Sequence, residues 1–307
     1  MFPKQGRKIA LVGSSGNVGR PTLSSLLAQD IHTITVIQRP DSTALYPANV
    51  TVKRGSFYDE AFLVDAVSGQ DVLVLQLPRT ATDIRPGLIR AAAKANVKYV
   101  LPVEFGTSPD AEIVEHFDNL LEKRKSRKLV EELGVSSWIA VVTNPWLDLG
   151  LLANGWGIRI EERKATLWEG GNTKINTSTL KRSGDATAKL LSLPDSELDK
   201  FRNRPFFVSS CYVSQRQIFE SVMRATTTDE KDWIVTTPTV EDVVRESQEA
   251  LKAGDFMKSF LDKYYMTHFR KGFGGDYNNR IDSTNLGFPE EDLDKIVEEI
   301  LSSGRSS

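Results

Sequence analysis

Ile9-Ala-Leu-Val12, Gly13-Ser14-Ser15-Gly16-Asn17-Val18-Gly19 and Arg20-Pro-Thr-Leu-Ser-Ser-Leu-Leu-Ala28 follow one another without interruption near the start of the chain. The first run is apolar on consecutive residues, as in a strand buried on both faces. The last carries leucines at helical spacing and predicts a helix over Val18–Ala28. The glycines between them permit a tight turn, let the main chain approach a pyrophosphate and let helix and strand pack closely. A helix N-terminus at that place offers unpaired amides and the positive end of its dipole to phosphate.

A second strand is predicted over Thr33–Gln38, and Arg39 follows it, twenty residues past Gly19. Sites specific for NAD carry Asp or Glu here to hold the ribose hydroxyls, whereas a guanidinium suits a 2′-phosphate. The expected cofactor is therefore NADP(H). Asp41 stands close enough in sequence to neutralise part of that charge, and an exposed strand-end arginine is the plainer alternative.

From Lys8 to about Thr143 short β-branched runs alternate with helical stretches, the pattern of a parallel sheet covered by helices. Further strands are expected at Val50–Lys53, Asp71–Gln76, Lys98–Val103 and Ser137–Val142. Further helices are expected at Ala61–Val67, Ile84–Ala95 and Ile113–Leu133. The last of these contains the charged run Glu122-Lys-Arg-Lys-Ser-Arg-Lys128, read as a solvated face. After Asn144-Pro145 come three tryptophans, strand-like pieces at Gly157–Ile160 and Lys164–Leu167, and then mostly helix beyond Leu180. The expected architecture is an α/β, doubly wound Rossmann sheet over residues 1–156. A smaller α+β lobe over 157–307 closes on the sheet's carboxyl edge, and some of its segments pack back on the first domain. A small-molecule pocket belongs between the two.

Composition narrows the classes. A chain of 307 residues that is 40% hydrophobic and 26% charged has the make-up of a folded globular protein. Lys and Arg total 39 against 41 for Asp and Glu, so no basic field draws in nucleic acid. One cysteine and three scattered histidines speak against a disulfide framework or an imidazole metal site, and no apolar run approaches a membrane span. A cytoplasmic protein is expected.

The glycine loop, the segment Tyr99-Val-Leu-Pro-Val-Glu-Phe-Gly106, the basic helix around Lys123 and the closing Leu286-Gly-Phe-Pro-Glu-Glu-Asp-Leu293 together resemble the isoflavone reductase-like and NmrA-like proteins, atypical short-chain dehydrogenases. The likeness runs from about Lys8 to Leu301, and the tail looks most like fungal members. It implies an NADPH-dependent reductase of conjugated or aromatic small molecules. In the NmrA branch it implies instead a redox sensor that binds dinucleotide and a protein partner without turnover. The family's reductases place a lysine eleven residues before the glycine that ends the long helix, which here is Lys123 before Gly134. Lys123 also lies within about 20° of Val130 on the helix surface, at the edge of the expected core.

The same resemblance assigns Phe57, Leu77, Pro78, Phe105, Asn144 and Pro145 to the cofactor site, with Leu77-Pro78 passing under the nicotinamide. The family's Gly-Asp after the third strand is Gly55-Ser56 here, which weakens adenine recognition. The Tyr-x-x-x-Lys pair of ordinary short-chain dehydrogenases is absent from the chain. Asn144-Pro145 equally reads as a turn. Trp146, Trp156, Trp168, Phe269 and Phe273 are either core or the lining of an aromatic pocket. A non-redox isomerase, dehydratase or cyclase on the same scaffold stays open, since fold does not fix chemistry.

Overall fold

The computed structural model describes residues 3–304; the outermost positions of the two expected domain ranges, 1–2 and 305–307, lie outside them. β1 (Lys8–Val12) leads to α1 (Gly19–Ala28), β2 (Thr33–Gln38) and β3 (Val50–Arg54). Then come α2 (Glu60–Val67), β4 (Val72–Leu75), α3 (Arg85–Lys94), β5 (Tyr99–Leu101), α4 (Asp118–Leu133) and β6 (Ser137–Val142). β5 ends where Pro102 removes the next amide donor from the ladder.

One expected helix is corrected. Ile113–Leu133 is not continuous: a 3-10 turn over Glu112–His116 is followed by extended backbone at Phe117 (φ −139°, ψ 119°), and only then by α4. The extension turns the Phe117 ring into an aromatic cluster with Phe260 and Tyr264, a burial that a continuous helix would forgo.

The remainder comprises α5 (Leu147–Leu152), β7 (Ile158–Arg159), β8 (Lys164–Thr166), β9 (Lys174–Thr177), α6 (Leu180–Leu191), α7 (Asp195–Leu198) and β10 (Arg204–Phe207). It ends with β11 (Cys211–Ser214), α8 (Gln215–Thr226), β12 (Ile234–Thr236), α9 (Val240–Lys252), α10 (Phe256–His268) and α11 (Leu293–Gly304). Strands β10, β11 and β12 interrupt the stretch read as mostly helical. Pro205 within β10 argues against an interior strand, and β10 is indeed an edge strand, where a missing amide breaks no ladder.

The main sheet has seven parallel strands in the order β3-β2-β1-β4-β5-β6-β10. Chain direction across the sheet reverses between β1 and β4, so a crevice opens there beyond the carboxyl ends of the strands. One face is covered by α1 and α6, with Leu23, Leu26, Leu190 and Leu191 packed on Ile9, Leu11 and Phe206. The other face carries α2, α3 and α4, with Leu63, Leu88, Ile89 and Val130 on Ala10, Leu73 and Val100. A second core forms around Trp156, Trp168, Phe219 and Val297 of the chain's later part, and it also takes in Leu147 and Leu151, which precede residue 157. Segments α6 and β10, from the second half of the chain, thus complete the first-half sheet. Phe206→Ala should cost about 3–5 kcal/mol in denaturant unfolding; a loss under about 1 kcal/mol would mean that β10 is not part of this core.

Candidate functional site

A cleft of about 820 Å³ opens at the carboxyl edge of β1, β2, β4 and β5, and α10 forms its far wall. Its floor begins with the glycine loop. Gly13 has φ +86°, and a Cβ there would stand 2.1 Å from the Gln76 carbonyl oxygen. At Gly19 a Cβ would stand 2.1 Å from the Gly13 carbonyl oxygen and 2.6 Å from Ser14 Cα. These two glycines let α1 sit directly on the turn. Gly19 itself does not line the cleft; its work is this packing, while Gly13, Ser14, Ser15, Gly16, Asn17 and Val18 line it.

Gly16 differs. The nearest atom to a Cβ there is the Gly13 carbonyl oxygen at 3.4 Å, an ordinary contact, so the protein's own packing does not demand glycine. A side chain at Gly16 would instead occupy the cleft beside the N-terminus of α1. No side chain among the described residues caps that terminus, and its first turn holds no acid. Unpaired amides with open space in front fit the phosphates of a dinucleotide.

At the end of β2, Arg39 is 68% exposed and only loosely paired with Asp41 at 3.6 Å, so its guanidinium is available to a ligand. Gln38 beneath it binds Arg54 Nε and Nη2 through its amide oxygen (2.6 and 3.0 Å) and gives a hydrogen bond to Ser42 Oγ. The corner therefore holds two guanidiniums, which fits a 2′-phosphate better than a ribose hydroxyl. Tyr46, from the same corner, contributes a hydroxyl to which Ser14 Oγ donates at 2.9 Å. Phe57 lines the cleft, but Ser56 does not; its hydroxyl accepts from Tyr58 N instead.

Further along the floor are Leu77, Pro78, Phe105, Asn144, Pro145 and Lys123. Phe105 (φ +32°) adopts left-handed backbone, rare for a bulky residue and found where a site is shaped, and Asn144 (φ +54°) is left-handed too, a conformation asparagine tolerates. The Asn144 side chain donates to the carbonyls of Asn176 (3.0 Å) and Gly275 (2.7 Å), which ties the smaller lobe to the sheet edge. Its Oδ1 is buried without a partner among the described residues. Asn144 is thus both the turn and a cleft residue.

Lys123 projects from α4 and donates to the Glu104 carbonyl. Burial pulls its ammonium below the ordinary lysine range; Glu104 opposes the shift, while Arg85 and Arg127 add to it. Glu104 and Arg127 form a buried ion pair behind Lys123, and Arg85 donates to the carbonyls of Pro78 (3.3 Å) and Arg79 (2.9 Å). The charged run on α4 is therefore not a uniformly solvated face: Lys125 and Lys128 are exposed, but Arg127 is buried against Glu104.

The aromatic reading divides. Trp156, Trp168 and Phe269 are core, Phe273 lies outside the cleft beside His116, and Trp146 alone of the five lines it. The wall is instead Phe260, Leu261, Tyr264 and Tyr265 of α10, with Met257 at the mouth. Arg79, on the loop after β4, reaches across to stack on the Phe260 ring at 3.9 Å. Phe256, Phe260, Tyr264 and His268 recur at intervals of four, a stripe that marks one helix face and could have been read from the sequence. Its destination could not.

A glycine turn at a parallel-sheet switch point, an arginine corner and a half-buried lysine are the parts of a dinucleotide-binding α/β site. Residues 5–146 match the family model of the NmrA-like family. Over nearly its whole length the chain is similar to the oxidoreductase aprR of Aspergillus flavus, at 28% identity across 96% of this chain and 98% of the relative. It is also similar to the oxidoreductase poxI of Penicillium oxalicum, at 24% identity across 96% and 94%. Both relatives are fungal. Among solved structures, that of AtPrR2 with NADP+ and (+)pinoresinol shares the fold, with a TM-score of 0.75 at 19% identity over 96% of this chain and 99% of that one. The chain thus has relatives matched over 96% of its length as well as a family match over its first half. Among the described residues no helix is long and apolar enough to cross a membrane.

Gly16→Val should leave the unfolding free energy within about 0.5 kcal/mol of the wild type, since the site has room, yet weaken NADPH binding by roughly tenfold or more. Unchanged affinity in a calorimetric titration would show that no phosphate lies over Gly16.

Proposed function

We propose that this protein is an NADPH-dependent reductase of a small conjugated or aromatic organic substrate, working in the cytosol in secondary metabolism. The observation that carries the reading is one cleft with an amide-rich glycine loop and Arg39 at one end and a half-buried lysine facing aromatic side chains at the other. The relatives aprR and poxI bear the name oxidoreductase, and the AtPrR2 structure is described with NADP+.

The amides of the Gly13–Val18 loop other than Gly16, whose N–H closes the turn on the Gly13 carbonyl at 3.1 Å, would hold the pyrophosphate and Arg39 the 2′-phosphate. Leu77, Pro78, Phe105 and Pro145 would enclose the nicotinamide end, and Asn144 Oδ1, Gln76 Oε1 and Trp146 Nε1 are buried polar atoms of cleft-lining residues without a partner among the described residues. Bound there, NADPH would supply a hydride for an electrophilic carbon of a conjugated carbonyl, imine or quinone methide. Lys123 holds the substrate heteroatom onto which the displaced electron pair moves, and gives that atom a proton from its ammonium. Glu104, through its carbonyl, keeps the ammonium pointed into the cleft. Burial lowers the cost of giving up that proton near neutral pH.

Lys123→Ala should lower turnover about 10²–10³-fold while NADPH affinity changes less than about threefold. Equal loss of both would make Lys123 a cofactor contact only. NADPH bound tightly but not consumed across aromatic ketones, quinones and imines would favour a sensor that presents its surface to a protein partner.

The pH profile carries a sign. Proton donation needs the ammonium, so activity falls as pH rises through the lowered lysine pKa. The Glu104 carboxylate favours the ammonium, so Glu104→Gln should move the alkaline limb of kcat to still lower pH. A shift upward, or none, would separate Glu104 from the titrating group.

A further inference from the structure

Tyr264 Oη and Lys123 Nζ converge on one point of the cleft. The position a Cβ would take on Gly106 lies 3.4 Å from Lys123 Nζ and 3.9 Å from Tyr264 Oη. All three residues line the cleft, so a single small molecule can touch both polar atoms. The Tyr264 ring has little freedom to leave: it stacks on Phe260 (5.2 Å between centroids) and meets Phe117 and His268 edge-on (5.7 and 4.5 Å).

Behind Tyr264 runs a hydrogen-bond chain whose polarity follows from the charge state and tautomer of His268. His268 Nδ1 stands 2.8 Å from the Tyr264 backbone carbonyl, which can only accept, so Nδ1 carries hydrogen. His268 is 1% exposed, and burial together with the nearby Lys123 ammonium pushes its pKa down to about 4, against the pull of that carbonyl. The ring is therefore neutral and Nε2 is an acceptor. Thr107 Oγ1, 3.0 Å from Nε2, must donate to it. Thr107 has one hydroxyl hydrogen, so toward Tyr264, also 3.0 Å away, it can only accept. The Tyr264 hydrogen points at Thr107, and the phenol presents its oxygen lone pairs to the cleft.

We propose that Tyr264 is a specificity-determining residue that selects substrates carrying a hydroxyl or N–H donor close to the heteroatom held by Lys123. The two groups have opposite polarity: Lys123 gives hydrogen bonds and Tyr264 receives them. No bond to the anchoring hydroxyl is made or broken. The inference rests on the reductase reading for the task given to Lys123, but its own content is a binding preference and can be measured without turnover.

Matched ketones provide the test, titrated calorimetrically into the full chain saturated with NADP+. Phenacyl alcohol and propiophenone differ by hydroxyl against methyl, and benzoin and deoxybenzoin by hydroxyl against hydrogen. The hydroxyl member of each pair should bind roughly tenfold tighter. Tyr264→Phe, which keeps the ring packing, should abolish the preference. α-Methoxyacetophenone, which can only accept, should bind no better than propiophenone to the wild type and should gain affinity in Thr107→Val, where the phenolic hydrogen is released. Equal affinity within each pair, including no measurable binding of either member, overturns the proposal. So does a preference that survives Tyr264→Phe. NADPH oxidation is scored separately: a hydroxyl preference without oxidation would leave the recognition standing and remove the reductase reading, and oxidation without preference would do the reverse.

Discussion

Backbone lying directly on backbone at the first turn is the constraint from which the rest of the site follows. Gly13 and Gly19 exclude side chains because the Gln76 carbonyl and the main chain of Gly13 and Ser14 occupy the space. That contact fixes where α1 begins, and so aims its unpaired amides across the carboxyl ends of β1 and β4. A bulkier residue at either position would shift α1, and α6, which packs on it, would have to follow.

The second constraint is electrostatic. Lys123, Arg85 and Arg127 share one region with the Glu104 carboxylate, and Glu104 Oε2 finds no partner there among the described residues. Buried ion pairs seldom add much net stability, because desolvation offsets the attraction. Their use here is positional: Glu104 engages Arg127 with its carboxylate and Lys123 with its carbonyl, so one residue aims the ammonium and moderates its pKa. The smaller lobe then supplies what the sheet cannot, an aromatic wall on α10 and an acceptor beside the lysine.

Legibility follows locality. The glycine turn and the strand that leads into Arg39 are each written within a few dozen contiguous residues and can be read from the amino-acid order, whereas Lys123 stands out from its charged run only through the register that the family resemblance implies. The break at Phe117 is not, since local propensity favours continuing the helix and only burial against α10 outweighs it. Nor is β10, because Pro205 disguises a strand whose place at the sheet edge makes proline harmless. Arg127 looks like one more charge in a basic run, and its partner lies on the loop after β5. The pairing of Lys123 with Tyr264 joins residues 141 positions apart, and no spacing rule reaches that far. The missing Tyr-x-x-x-Lys motif says nothing of a tyrosine delivered by another lobe.

All of this presumes that the arginine corner reads a phosphate. Titration of the full chain with NADPH and with NADH at the same ionic strength tests that most directly, because the two differ only at the ribose 2′ position. NADPH should bind at least roughly tenfold tighter, with the difference shrinking as salt rises. Equal affinity for the two, or binding of neither, would contradict the account at its base.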